Sequence, residues 1–256
     1  MPENSETAVI ADCLKRKLLG KQLNKCKYGD VIKVTNYDKL LLPAIIKNVT
    51  FYGEKVIIEL KKQYIIIGLG MSGKFVYEKM NHNHVKFVFD DLILYYNNVR
   101  TIGSEIIVID NLRLSKLGPC LLTAALTTWI DKKEWYGLFK KTNRCIVGAL
   151  SDQRVLAGVG NYLRSEILYL AGVDPFKMTK DVSKNEYELI RIAAHEVVLY
   201  SYKLGGHTLF DYVDPEGKKG GYVPLVYRKK TDMNGFVVKK RKVNGQYVHY
   251  VKEVQN

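Results

Sequence analysis

The pattern of apolar and polar positions changes twice along the chain. Val9, Ile10, Cys13, Leu14 and Leu18 recur at helical spacing and predict a first helix from about Thr7 to Leu18, with Ser5 as N-cap and Gly20 as the stop. From Val31 to Ile109 the pattern turns to short runs rich in branched and aromatic residues: IIKNVTFYG, KVIIEL, YIIIGLGM, VKFVF, LILYYNN and EIIVI. Polar or glycine breaks separate them, which predicts an antiparallel sandwich or barrel. After Leu117-Gly118-Pro119, read as a hinge, helical stretches follow at Leu121–Ile130, Lys133–Phe139, Cys145–Leu150, Gly160–Leu170 and Asn185–Leu204. The pattern then returns to β. Asn234-Gly235 and Asn244-Gly245 are tight-turn signals, and GFVVKKRKV with QYVHYV reads as a basic hairpin.

Composition narrows the class. The chain has 256 residues, 47% of them hydrophobic, enough for two modest cores. No apolar run is long enough to span a bilayer, and the start is too polar for a secretion signal, so a soluble intracellular protein is expected. The net charge of +14 favours a polyanionic partner, nucleic acid above all. The excess is concentrated at the end: ten basic and two acidic residues lie between Lys218 and Asn256. Cys13, Cys26, Cys120 and Cys145 form no CxxC pair and have no histidine at ligand spacing, so neither a zinc site nor a disulfide framework is expected.

Candidate chemistry gathers in LAGVGNYLRSEIL, Leu156 to Leu168. Gly158 and Gly160 allow a tight turn, Asn161 is read as the cap, and an amphipathic helix follows. Backbone amides at such a helix start can hold a phosphate. The other candidate is the start, MPENSE, where loss of Met1 would leave a proline amine beside the carboxylate of Glu3.

Taken in order, these segments resemble the formamidopyrimidine-DNA glycosylase and endonuclease VIII family. SDQRVLAGVGNYLRSEILYLAGVDPF resembles its helix–two-turns–helix motif, and MPENSE its MPEGPE start. GEKVIIEL and YIIIGLGMSGKF are similar to its lysine-bearing strand and LGMSG segment, and NNVRTIG to its DPRRFG loop. Leu117-Gly118-Pro119 matches its inter-domain linker, GGHTLFDYVDPEGKKGGY its GGTTLxDYxxxxGxxGY stretch, and GQYVHYV its finger hairpin.

The resemblance implies roles residue by residue. Pro2 is the nucleophile, attacking C1′ of a damaged nucleotide once Met1 is removed; a free α-amine, with a pKa near ~8, is partly unprotonated at neutral pH. Glu3 is the general acid that protonates the sugar ring oxygen. Glu6 belongs to the same start motif and is either catalytic or a first-turn acid that favours the helix dipole. Lys55 matches the lysine that grips a phosphate beside the lesion, and Asn161 holds the same backbone from the helix turn. Met71, Arg100 and Ile102 match the positions that fill the gap left by the everted base. Gly158, Gly160, Lys218 and Gln246, the last at the hairpin tip, complete the DNA-binding set.

Several positions depart from the family pattern. Thr231, Asn234, Val251 and Val254 stand where the finger cysteines usually are, which resembles the zincless finger of the endonuclease VIII-like branch. Gln246 replaces the finger arginine, Gly68 a histidine before LGMSG, Ile102 a phenylalanine, and Asn4-Ser5 the Gly-Pro of the start.

The expectation is an α+β protein in two domains. Residues 1–116 form an N-terminal antiparallel β-sandwich with a leading helix, and 117–119 a linker. Residues 120–256 form a helix–two-turns–helix domain ending in a zincless β-hairpin finger at about 225–256, with DNA between the domains. The activity is that of a bifunctional DNA glycosylase and abasic-site lyase, with oxidised pyrimidines preferred because the Gly217–Tyr227 loop is short; the alternative is a lesion-binding protein of the same fold with weakened chemistry. The partner is damaged double-stranded DNA, with single-stranded DNA as a second form. The protein acts as a monomer, without membrane, cofactor or metal.

Overall fold

Helix α1, Asn4–Leu18, begins three residues earlier than its apolar pattern predicts. Glu3, not Ser5, is the N-cap, and Glu3 and Glu6 form a capping box that satisfies donors at both ends of the first turn. Ser5 is fully buried inside the helix. The computed structural model describes residues 2–29, 31–112, 114, 116–209 and 212–255; Met1, Phe210 and Asp211, which fall within two of the quoted motifs, lie outside them.

Two compact units divide the chain: Met1–Leu114 with Gly205–Gly221, and Ser115–Leu204 with Tyr222–Asn256. The described residues of Gly205–Gly221 therefore group with the first unit although they follow the helices in sequence. No change in hydrophobic periodicity marks that return.

The strands of the first unit are β1 (Gln22–Tyr28), β2 (Lys33–Thr35), β3 (Ala44–Tyr52), β4 (Lys55–Leu60), β5 (Tyr64–Gly68), β6 (Gly73–Val76), β7 (Asn83–Phe89), β8 (Ile93–Asn98) and β9 (Glu105–Ile109). Their order is β2-β9-β5-β4-β3-β1-β7-β8-β6, and the two halves close as a β-sandwich over one core. Pairing is antiparallel except between β2 and β9, which run parallel. Strand β1, which joins the halves, has no clear pattern in sequence. A bulge between Leu23 and Lys25 shifts its register, so Leu23 and Cys26 both face inward three positions apart and the period of two is broken. Helix α1 lies on β3 and β4 and buries Ile10, Leu14 and Leu18 in that core. Each such side chain contributes roughly 1.5–3 kcal/mol.

The second unit holds α2 (Leu121–Leu126), α3 (Lys132–Lys140), α4 (Ile146–Leu150), α5 (Asn161–Leu170), α6 (Lys184–Lys203) and the hairpin β10 (Lys239–Val243) and β11 (Gln246–Tyr250). Helix α2 stops four residues short of the predicted Ile130. Thr127 bonds back through its hydroxyl to the Thr123 carbonyl at 2.8 Å, and Trp129 leaves the helix to pack in tilted ring contacts with His195 and Trp135. Gly118 is not a free hinge. Its N–H donates to the Gln153 carbonyl at 2.9 Å, and a Cβ there would lie 2.4 Å from the Val155 carbonyl oxygen, so only glycine permits the approach. Among the described residues, no helix is long and apolar enough to cross a membrane.

Three devices hold the hairpin end. Glu166 of α5, fully buried, accepts the Tyr222 hydroxyl at 2.8 Å and the N–H groups of Leu225, Val226 and Tyr227 at 2.5, 3.0 and 2.8 Å. Burial raises its pKa, and these four donors oppose the shift. Tyr169, Val226 and Val251 form a small apolar cluster against which Val254 packs. Asp232 ties the Asn234-Gly235 turn by accepting the N–H groups of Asn234 and Phe236, and takes the Tyr169 hydroxyl at 2.9 Å.

Candidate active site and DNA contacts

In the first unit the chain start is buried. Pro2 and Glu3 are enclosed, and Asn4, fully buried, donates its side-chain amide to the Gly53 carbonyl at 2.8 Å. Gly53 lies in the tight turn between β3 and β4, two residues before Lys55, so this bond fixes the start of α1 against the strand that carries the lysine. Glu6 bridges a second way. One carboxylate oxygen accepts the Glu3 N–H at 2.9 Å and the other the His207 N–H at 3.0 Å. Glu6 thereby ties the start of α1 to the returning 205–221 segment. Beside it, Tyr212 is buried with its hydroxyl unpartnered among the described residues, and burial and Glu6 together push its pKa up.

Two residues here escaped sequence reasoning. Glu54 precedes Lys55 in the same turn. Burial pushes its carboxyl up to about 7, the Lys55 ammonium opposes the shift, and the Glu6 charge adds to it. Glu105, the first residue of β9, forms an ion pair with Lys55. Neither stands out in one dimension, because an acid in a polar turn or at a strand end is ordinary.

Met71, Arg100 and Ile102 are brought together by a shared network. Their two loops meet where the Met71 N–H donates to the Ile102 carbonyl at 3.1 Å. Asn98, fully buried, is the hub: its side-chain oxygen Oδ1 accepts the Ser72 hydroxyl at 2.6 Å and the N–H groups of Arg100 and Thr101, and its side-chain amide N–H donates to the Leu69 carbonyl at 3.2 Å. Ile102 is left 62% exposed, an apolar side chain on a firmly held loop. Lys218 is exposed on the 205–221 segment, its N–H bonded to Asp214 at 2.9 Å and its ammonium 3.5 Å from Glu216.

The remaining candidates lie in the second unit. Gln153 clamps the glycine turn before α5, accepting the Gly158 N–H at 2.7 Å and donating to the Val159 carbonyl at 3.0 Å. Gly158, at φ 97°, has the conformation glycine tolerates best. Gly160 is the N-cap of α5, and Asn161 is its first helical residue rather than the cap. The Asn161 side-chain oxygen has no hydrogen-bond partner among the described residues. Gln246 opens β11, exposed, opposite Val243 and directly after the Asn244-Gly245 turn, where both residues have positive φ. On the facing strand, Lys240 and Lys242 each lie 5.3 Å from the ring centroid of the next residue, Tyr247.

A β-sandwich led by a buried Pro-Glu start, together with a helix–two-turns–helix unit that ends in a basic hairpin, defines a DNA glycosylase fold. A model of the formamidopyrimidine-DNA glycosylase N-terminal domain matches residues 1–104, and one of the formamidopyrimidine-DNA glycosylase H2TH domain matches residues 123–212. The chain belongs to the formamidopyrimidine-DNA glycosylase family. It is 28% identical to the formamidopyrimidine-DNA glycosylase of Bacillus cereus, covering 98% of this chain and 97% of that one. It is also 28% identical to the same-named protein of Wolbachia pipientis, over 100% of both. Among solved structures, the MutM (Fpg) protein of Thermus thermophilus superposes with a TM-score of 0.92 at 25% identity, covering 99% of this chain and 98% of that one. A Lactococcus lactis Fpg mutant in complex with a Fapy-dG containing DNA gives 0.90 at 24% identity over 100% of both and shows the same fold.

Proposed function

We propose that the protein removes oxidised bases from damaged DNA and then cleaves the strand, using Pro2 as nucleophile. As a family member it is a DNA N-glycosylase with abasic-site lyase activity, in base excision repair. The observation that carries the residue assignment is the Asn4–Gly53 bond, which fixes the buried Pro2-Glu3 start against the turn leading into Lys55. Removal of Met1 frees the Pro2 amine, whose lone pair forms a bond to C1′ as the damaged base departs with the glycosidic electron pair. Glu3 delivers a proton to the sugar ring oxygen, the ring opens, and a cationic iminium remains. Loss of a C2′ proton then expels the 3′ phosphate. Lys55 and Asn161 hold backbone phosphate, with Gln246 at the hairpin tip, while Met71, Arg100 and Ile102 fill the vacated stack.

The finer reading places the chain in the endonuclease VIII-like, zincless branch, with oxidised pyrimidines as preferred substrates. Supporting it, the chain has no cysteine after Cys145, and Glu166 with the Tyr169, Val226 and Val251 cluster supplies the hold that a metal would give. The test is borohydride trapping on DNA with an abasic site, using protein whose Met1 is confirmed absent by mass. A covalent adduct mapping to Pro2 is expected. An untrapped processed protein would refute the lyase assignment.

A further inference from the structure

Lys55, Gly68 and Glu105 stand side by side on three neighbouring strands. Lys55 of β4 pairs with Gly68 of β5, and Gly68 pairs with Glu105 of β9. The lysine and the glutamate are thus two strand spacings apart, about 10 Å along the sheet, too far for short side chains to meet. They meet because nothing stands between them. A Cβ on Gly68 would sit 3.2 Å from the Glu105 Cγ, within the space the carboxylate arm uses, and over that gap Lys55 Nζ and Glu105 Oε1 form an ion pair. The side chains are 24% and 31% exposed, so the pair is open to an arriving anion.

Resting on the reading of Lys55 as a phosphate ligand, we propose that Glu105 is a positioning residue that occupies the Lys55 ammonium in the DNA-free protein and must yield it to the phosphate beside the lesion. The carboxylate offers the ammonium the same kind of anionic oxygen that the phosphate does, and it holds the lysine extended across Gly68. A partly exposed ion pair of this kind is weak, so a phosphate fixed by the rest of the duplex displaces it. The charge cost is felt at binding: with Glu105 in place, Lys55 is already neutralised and contributes little to counterion release. Glu105 also directly follows the loop that carries Arg100 and Ile102, which links the phosphate grip to the loop that enters the stack.

The experiment is a double-mutant cycle on duplex DNA containing a stable abasic-site analogue. Dissociation constants are measured across a salt series for wild type, Glu105→Gln, Lys55→Ala and the double variant, with thermal unfolding to confirm that each is folded. Glu105→Gln is expected to bind several-fold tighter and to steepen the salt slope by about one counterion, a change near roughly −0.9. In the Lys55→Ala background the same substitution should change neither. Gly68→Ala, which crowds the carboxylate while leaving its charge, should move binding in the same direction by less. If Glu105→Gln tightens binding equally with and without Lys55, the glutamate is a general surface charge and the proposal falls. If Glu105→Gln changes nothing while Lys55→Ala weakens binding, the proposal falls and the phosphate role of Lys55 stands. If Lys55→Ala leaves affinity unchanged even in the Glu105→Gln background, where nothing neutralises the lysine, it is the reading of Lys55 itself that fails.

Discussion

Glu6 and His207 are 201 positions apart in sequence, yet the Glu6 carboxylate accepts the His207 N–H at 3.0 Å. Its second oxygen takes the Glu3 N–H at 2.9 Å, so one buried side chain orients the residue after Pro2 and anchors the returning segment. Replacing it with alanine removes both charged acceptors and is expected to cost about 2–3 kcal/mol. Glu6→Gln should restore part of that, because one acceptor oxygen remains, and trapping through Pro2 should recover in parallel. Denaturant unfolding and single-turnover trapping measure the two effects; equal behaviour of the two variants would contradict this role.

Glu3→Gln keeps the shape of the side chain and loses its proton. Affinity for abasic-analogue DNA should hold, while base excision falls roughly 10²–10⁴-fold. Single-turnover release of a damaged base is the measurement, and an unaltered rate would remove Glu3 as the acid.

Glu54 gives stability a pH dependence. Its folded-state pKa of about 7 lies above the ordinary 4.5. Below about 4.5 both folded and unfolded chains hold the proton and Glu54 contributes nothing. As pH rises toward 7 the unfolded chain has released its proton and the folded protein has not, so stability declines, and the loss is complete above 7. Glu54→Gln should therefore raise the melting temperature at about pH 8 and leave it nearly unchanged at about pH 4. A gain of equal size at both pH values would rule this out.

The finger end is predicted to stand without metal. Chelators should change neither melting temperature nor DNA affinity, and elemental analysis should find no stoichiometric zinc. Glu166→Gln, by contrast, turns one of the acceptors that face four donors into a donor, and should destabilise the fold by about 2–3 kcal/mol. One zinc per chain would overturn the metal-free account.

Gln246 carries a neutral amide at the exposed hairpin tip, where arginine would bring a permanent charge and a forked donor. Gln246→Arg should tighten binding to abasic-site DNA several-fold and steepen the salt slope by about one counterion, near roughly −0.9. A dissociation-constant series in salt decides it; identical slopes would place position 246 away from the phosphates.

Sequence by itself determined what depends on local spacing and residue type. The core strands, the helices α3 to α6, the Asn244-Gly245 hairpin turn and the glycine turn ahead of Asn161 follow from periodicity and turn chemistry, which act over a few residues. Tertiary structure decided what depends on distant neighbours. Strand β1 hid behind a bulge, and the start of α1 behind a capping box whose N-cap is a glutamate rather than the expected serine. The hub role of Asn98, the bond from Asn4 to Gly53 and the meeting of Lys55 with Glu105 over Gly68 require strands and loops far apart in sequence to lie side by side. A side chain's type is written in the chain, but its partners and the cost of its burial are set only when other elements enclose it.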